Sequence, residues 1–322
     1  MIDISICCTA YNHQNYIAKA LEGMLAQKGD FTMEILVHDD CSTDATARII
    51  AEYAQKYPKI IKPVLQTKNQ YSKGVPINET FNFSRAQGKY IALCEGDDMW
   101  IDPCKLQKQF AYMEANPTCS FCFTNALVQD EANQGKERDF LPYYPKDAGT
   151  YNKAGKEYNV AEMLGLSFIP TASFFFKTEH YKQAKDFLCK PFPYGDMRFK
   201  LVFTSFGYAK LIDDKTCIYR LNVPNSALAL WGKEKRAKAF ARYLSVCDFL
   251  AEMNERTKGQ YKQAFAKESA DFYGYALQYT SCFAQLRQEG VKQAFVRLPF
   301  LQKARLLGKL LFLKIYGNRK HT

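Results

Sequence analysis

The stretch CEGDDMWIDP, Cys94 to Pro103, sets Glu95, Asp97 and Asp98 within four residues, directly after the apolar run Tyr90-Ile91-Ala92-Leu93. Held within a few ångströms, three carboxylates repel strongly unless one is protonated or a cation sits among them. Oxygen-only ligands favour a hard divalent ion, Mg2+ or Mn2+, which keeps coordination positions open for substrate phosphates. The cluster therefore points to a metal and a phosphorylated ligand. The competing use of the same residues is a solvated acidic turn before a helix near Pro103, with Asp102 as its cap.

Hydrophobic spacing decides between them by showing what positions the cluster. Residues 2–8 (IDISICC) form a short apolar run, and Ile17, Ala20, Leu21, Met24 and Leu25 recur at helical spacing within Gln14 to Ala26. Glu34 to Val37 predicts a second strand, Asp39 to Asp44 a polar turn, Asp44 a helix cap, and Ile60 to Gln66 a third strand. The order β-α-β-α-β predicts a parallel, doubly wound sheet, in which ligands bind beyond the carboxyl ends of the strands. Three polar clusters fall at such ends: Thr9 to Asn12, Asp39-Asp40 and Glu95 to Asp98. Three strands aiming polar groups at one edge favour a site over an idle turn. Further along, the pattern predicts a helix near Pro103 to Ala115, strands at Ser120 to Val128, Ser173 to Phe176 and Ala209 to Arg220, and a helix at Asp196 to Thr204. Gln129 to Asn159 is polar and long enough to be a loop over the site or a small subdomain. Beyond Trp231 an apolar stripe, Phe265, Phe272, Ala276, Tyr279, Phe283 and Leu286, marks helices.

The 322-residue chain is 47% apolar and 24% charged, which excludes a disordered protein and suits a soluble globular one. Its net charge of +11 is unevenly placed: residues 1–231 hold 26 Lys+Arg and 26 Asp+Glu, residues 232–322 hold 18 and 7. The C-terminal third should be drawn to an anionic partner. Eleven cysteines without regular spacing read as buried free thiols of a reducing compartment, and His13, His38, His180 and His321 as surface or capping residues rather than ligands. Neither a basic leader nor an apolar run of membrane-spanning length is visible, so the expectation is a cytoplasmic chain, peripheral at most on the inner face of the cell membrane.

The motifs in order resemble those of the family 2 glycosyltransferases. Ser5-Ile6-Cys7-Cys8-Thr9-Ala10-Tyr11-Asn12 is similar to the family's opening strand and Pro-Thr-Tyr-Asn turn. Glu34 to Asp44 (EILVHDDCSTD) is similar to its Asp-Asp-Gly-Ser-Thr-Asp segment, with Cys41 replacing Gly, and Glu95-Gly96-Asp97-Asp98 to its Asp-x-Asp motif. The resemblance implies an α/β GT-A-type doubly wound mixed sheet with flanking helices in residues 1–231, with a nucleotide-sugar half at about 1–128 and an acceptor half at about 160–231. A basic helical region, 232–322, follows. It also implies a nucleotide-sugar site built from Thr9, Ala10, Tyr11, Asp39, Asp40, Glu95, Gly96 and Asp97, with Asp97 and Asp98 on the metal. Phe192 to Arg220 resembles the acceptor-side helix and strand, which makes Asp196 the catalytic base of an inverting transfer. Asn222 stands where the family has His. On the acceptor side, Trp100 offers a flat face to a sugar or a side chain to the core, and Arg220 a phosphate contact or a salt bridge.

The implied reaction moves a sugar from a nucleotide-diphosphate donor to a hydroxyl of a glycan or lipid-linked acceptor, in cell-surface polysaccharide synthesis. A nucleotidyltransferase would want a glycine-rich basic loop after the first strand, and Thr9 to Asn15 has neither Gly nor Lys. A non-catalytic nucleotide-sugar-binding scaffold is the third alternative. On a helical wheel of residues 300–316, Leu306, Leu307, Leu310, Leu311 and Leu313 share one face, Arg305 and Lys309 lie opposite, and Lys303 and Lys314 must snorkel. Such a helix fits a membrane surface or packs on the rest of the region, and no nucleic-acid motif accompanies the charge.

Overall fold

The computed structural model describes residues 1–133, 136–140, 151, 153–166, 168–223 and 235–316. The chain divides into two compact units, Met1–Val223 and Pro224–Thr322. The boundary expected at 231/232 lies outside the described residues.

The first unit begins β1 (Ile4–Ala10), α1 (Ile17–Leu25), β2 (Met33–Asp39), α2 (Thr46–Lys56), β3 (Ile61–Leu65) and β4 (Tyr90–Leu93). It continues with β5 (Met99–Trp100), α3 (Lys105–Ala115), β6 (Cys119–Asp130), β7 (Lys136–Asp139), β8 (Glu157–Tyr158) and α4 (Val160–Gly165). It closes with β9 (Phe175–Lys177), α5 (Thr178–Leu188), α6 (Gly195–Thr204) and β10 (Tyr208–Leu221). Among the described residues these strands form one sheet in the order β3-β2-β1-β4-β9-β6-β10-β5, with β7 on β6 and β8 on β10. The β3-β2-β1-β4 half is parallel, β9 runs antiparallel between β4 and β6, and β6 and β10 are parallel. Strands covered on both faces need near-continuous apolar runs rather than alternate ones, which β4 supplies throughout and β1 apart from Ser5, whose buried hydroxyl donates to Glu34 Oε1 (2.7 Å), and Thr9. Because β2 and β4 flank β1 while the chain runs from β1 to β2, connections part at β1/β4, and a crevice opens at the carboxyl ends of those strands.

Several expectations change in detail. The polar segment 129–159 is not one long loop among its described residues, since it supplies β7, paired with β6, and β8, paired with β10. The two-residue β5 pairs with β10 at Cys217 and Ile218, a piece too short to leave a periodic signal. Asp44 lies one residue upstream of the capping position but still accepts the Thr46 amide (2.9 Å). His38 and His180 are buried rather than at the surface, each stacked on an aromatic ring: Phe81 at 4.6 Å and Phe206 at 4.3 Å. Burial pushes the His38 imidazole below its ordinary range and favours its neutral form. All eleven cysteines are free, although Cys104 and Cys282 are exposed.

Cys41 occupies a left-handed backbone conformation (φ 64°) at the position where a glycine was expected. A side chain with Cβ is disfavoured there, so Cys41→Gly should stabilise the chain by about 1 kcal/mol. An upward shift of the urea midpoint checks this, and an unchanged midpoint would show that the loop relaxes around the strain.

The second unit is helical: α7 (Arg236–Arg256), α8 (Lys262–Tyr279), the single turn α9 (Phe283–Leu286), α10 (Glu289–Arg297) and α11 (Phe300–Tyr316). Phe240, Ala276, Leu277 and Val291 form its core, with Tyr243, Phe295 and Leu306 against it. Among the described residues no helix is long and apolar enough to cross a membrane.

Candidate active site

The acid turn is built directly onto the parallel ladder. The Cys94 amide donates to Cys7 O (3.2 Å) and the Gly96 amide to Thr9 O (2.9 Å), so the chain leaving β4 stays zipped to β1. Gly96 sits in a crowded place, where a Cβ would stand 2.9 Å from His13 Nδ1 and 3.0 Å from Ala10 Cβ and would force those side chains to shift. Asp98 N–H then donates to Glu95 O (3.1 Å) and closes the turn.

Arg220, at the end of β10, holds this turn. Its amide donates to Asp98 Oδ1 (3.2 Å) and its Nη1 to Asp97 O (2.5 Å), while its Nε lies 3.4 Å from Glu131 Oε1. With the guanidinium also 5.1 Å from the Tyr16 ring centre and the residue 7% exposed, Arg220 is a clamp on the acids. The salt bridge expected for it is formed with Glu131. Asn222, in place of the family's His, donates through Nδ2 to Asp130 Oδ1 (2.7 Å).

The electrostatics follow from crowding. Burial, then the charges of Asp97 and Asp196, push the Glu95 carboxyl up to about 7, and its Oε2 is buried without a hydrogen-bond partner. Burial and the charges of Asp97 and Glu95 also push Asp98 well above the carboxylate range, against the pull of Arg220. Asp97 is the more accessible acid, with a side chain 21% exposed and Oδ2 3.8 Å from His13 Nε2. Asp196 lies in the first turn of α6, and burial raises its pKa against the opposing charge of Lys200. The folded chain thus brings a carboxylate from residue 196 within electrostatic reach of one from residue 95.

These groups fit a hard divalent cation. The acids are hard oxygen donors, Arg220 offsets only part of their mutual repulsion, and one buried carboxylate oxygen is orphaned. Among the described residues no group of three or more His, Cys, Asp or Glu side chains is arranged around one point.

Where the resemblance places the nucleotide, the two aspartates accept hydrogen bonds from the protein itself. Asp40, 4% exposed, accepts from Gln70 N (2.8 Å) and Tyr71 N (3.0 Å), and Asp39, 1% exposed, accepts from Ser42 N (3.0 Å). Asn12 Oδ1 accepts from Thr43 N (2.8 Å), and His13 N donates to Thr46 Oγ1 (2.8 Å), so the turn after β1 is tied to the turn after β2. Thr9 and Ala10 contribute their carbonyls, which accept from Gly96 and Asp40. Tyr11 remains 39% exposed and free to flank a planar ring. The loop Asn69 to Tyr71, which wraps Asp40, escaped sequence reasoning because its only signal is a polar run after β3.

Of the two readings open for Trp100, the structure shows the core one. It is 3% exposed, its Nε1 donates to Ala172 O (2.7 Å), and Lys105 Nζ lies 4.3 Å from its ring centre. The indole packs the core beneath the acid turn, and its face is not available to an acceptor sugar. Lys105 is itself fully buried and bonded to Gln109 Oε1 (2.7 Å), and burial draws its pKa down to about 8.

The mixed sheet with an acid turn at its switch point defines a GT-A-type chain. Residues 5–183, more than half of the sequence, match Glycosyl transferase family 2, and the chain belongs to that family. An uncharacterized protein of Mycobacterium tuberculosis (strain H37Rv) is 38% identical over 178 residues, 55% of this chain and 47% of that protein. TuaG of Bacillus subtilis, named as a teichuronic acid biosynthesis glycosyltransferase, is 31% identical over 153 residues, 48% of this chain and 57% of its own length. The UDP-Glc:alpha-D-GlcNAc-diphosphoundecaprenol beta-1,3-glucosyltransferase WfaP of Escherichia coli is 30% identical over 128 residues, 40% and 47% of the two chains. The chain spans about half the length of the curated relatives it matches. S. aureus TarS 1-349 in complex with UDP-GlcNAc shares the fold with a TM-score of 0.60 at 15% identity, over 97% of this chain and 81% of that one. The mannosyltransferase PcManGT from Pyrobaculum calidifontis, in complex with GDP-Man and Mn2+, does so at 0.55 and 15%, over 99% and 82%.

Proposed function

We propose that the chain is an inverting glycosyltransferase that moves a sugar from a nucleotide-diphosphate donor to a hydroxyl of a glycan or lipid-linked acceptor, in cell-surface polysaccharide synthesis. The observation that carries this reading is the acid turn at the β1/β4 switch point, with a buried, orphaned Glu95 oxygen and an accessible Asp97. Asp196 accepts the proton of the acceptor hydroxyl as that oxygen attacks the anomeric carbon and the bond to the nucleotide diphosphate breaks. Asp97 and Asp98 would hold Mg2+ or Mn2+, which when bound would supply positive charge to offset the diphosphate. Arg220 keeps those two acids oriented from behind, and Tyr11 flanks the base. The names of TuaG and WfaP support a polysaccharide or polyprenyl-diphosphate acceptor, and those of TarS and PcManGT a nucleotide-sugar donor.

A panel of UDP-, GDP-, CMP- and dTDP-sugars, each with and without Mn2+ or Mg2+, tests the reading by thermal shift and by nucleotide release. One donor class should raise the melting temperature only with the ion, and be turned over. Asp97→Asn should lose the ion-dependent shift. Binding without any turnover would instead favour a non-catalytic scaffold, and no binding by any donor would end the proposal.

A further inference from the structure

The helix α11 divides its leucines between two faces. Leu306, Leu310 and Leu313 lie on the covered side, Leu310 at 1% exposure, and Leu306 packs on the core of the second unit. The other apolar residues face outward: Phe300 is 80% exposed, Leu301 70%, Leu307 36%, Leu311 50% and Phe312 60%. At about 100° per residue these five, with Ala304 and Gly308, span an arc of about 140° that contains no charge. Lys303 and Lys314 border the arc on one side, and Arg305 and Lys309 on the other.

Among the described residues twelve large hydrophobics are exposed, and six of them fall between Val296 and Phe312. That concentration separates this face from the scattered apolar exposure of any surface. From Gly290 to Thr322 the sequence has eight Lys+Arg and no Asp or Glu.

We propose that α11 is a membrane-surface helix that docks the chain on an anionic phospholipid bilayer, with the Phe300–Leu311 arc in the acyl boundary and the flanking cations at the headgroups. A helix of this kind lies in the interface plane, and its long basic side chains reach up to the headgroups from both margins of the apolar strip. Anionic lipid is favoured over a second copy of this chain by charge. Pairing the same face about a two-fold axis would bring these cationic borders together, whereas headgroup phosphates neutralise them.

Flotation of the full chain with vesicles of phosphatidylcholine, with and without phosphatidylglycerol, tests the assignment. No sugar donor is present, so failure here leaves the transferase reading untouched. The chain should float with the anionic vesicles, less so at high salt and with neutral vesicles. The double substitution Leu301→Glu/Leu311→Glu, at two exposed positions, should weaken binding by at least about tenfold while helicity by circular dichroism stays unchanged. Unaltered flotation of that variant, or no flotation of the parent chain, overturns the proposal. So does a concentration-dependent dimer in sedimentation velocity that the same substitutions dissolve, because a second copy then covers the face.

Discussion

Asp196→Asn should lower kcat by about 10²- to 10⁴-fold, the contribution of a positioned general base, with donor binding retained. The substitution is informative because Asp196 has two separable uses. It lies in the first turn of α6, where a carboxylate faces the positive end of the helix. Asparagine keeps the size and the acceptor oxygen, so the helix start survives and a loss of rate reports on the base. The pH profile separates them further. Burial raises the pKa of Asp196 against the pull of Lys200, and a base acts only when deprotonated. The rate of the parent enzyme should therefore climb with pH through that raised pKa and then level off, while the Asn variant runs low and without that limb. Full transfer activity in the variant would remove Asp196 from the mechanism.

How much of this was legible beforehand depends on what each residue's neighbours were. The parallel half of the sheet was readable because strands buried on both faces leave unbroken apolar runs, and the acid turn because a carboxylate cluster after such a run is hard to explain otherwise. The clamp by Arg220 was not, since it joins residues more than 120 apart and depends on the mixed order in which β10 pairs. Asp39 and Asp40 were read as ligand groups, and spacing gave no sign that the Ser42 hydroxyl and amide and the amides of Gln70 and Tyr71 already donate to them. Trp100 was ambiguous because one-dimensional spacing does not say that Lys105 and the Ala172 carbonyl enclose it. In α11 a wheel groups five of the leucines, and only the packing of Leu306 and Leu310 reveals that Leu307 and Leu311 point the other way.

Arg198→Met should cost about 3–5 kcal/mol of folding stability, because it strands a buried carboxylate. Arg198 and Glu79 are each 3% exposed, and the Arg198 Nη2 bonds Glu79 Oε1 while Nη1 bonds Lys190 O. Tyr181 Oη donates to Glu79 O (2.8 Å), so the pair also ties α5 and α6 to the turn Asn78–Asn82. Burial already raises the Glu79 pKa, and Arg198 draws it back. Without the guanidinium the folded-state pKa rises further above the unfolded value. A group raised in this way stabilises the fold at low pH and loses that contribution as pH rises, so the deficit should be larger near about pH 7 than near about pH 4. Glu79→Gln on top of Arg198→Met removes the stranded charge and should recover part of the loss, which a double-mutant cycle in urea reads as a favourable coupling. Strictly additive costs would mean that the two side chains are independent. The ion pair also bears on chemistry, because Asp196 is two residues from Arg198 on the same helix. Arg198→Lys keeps the charge but not the planar fork that serves Glu79 and Lys190 together, and it should lower kcat more than it raises the donor KM.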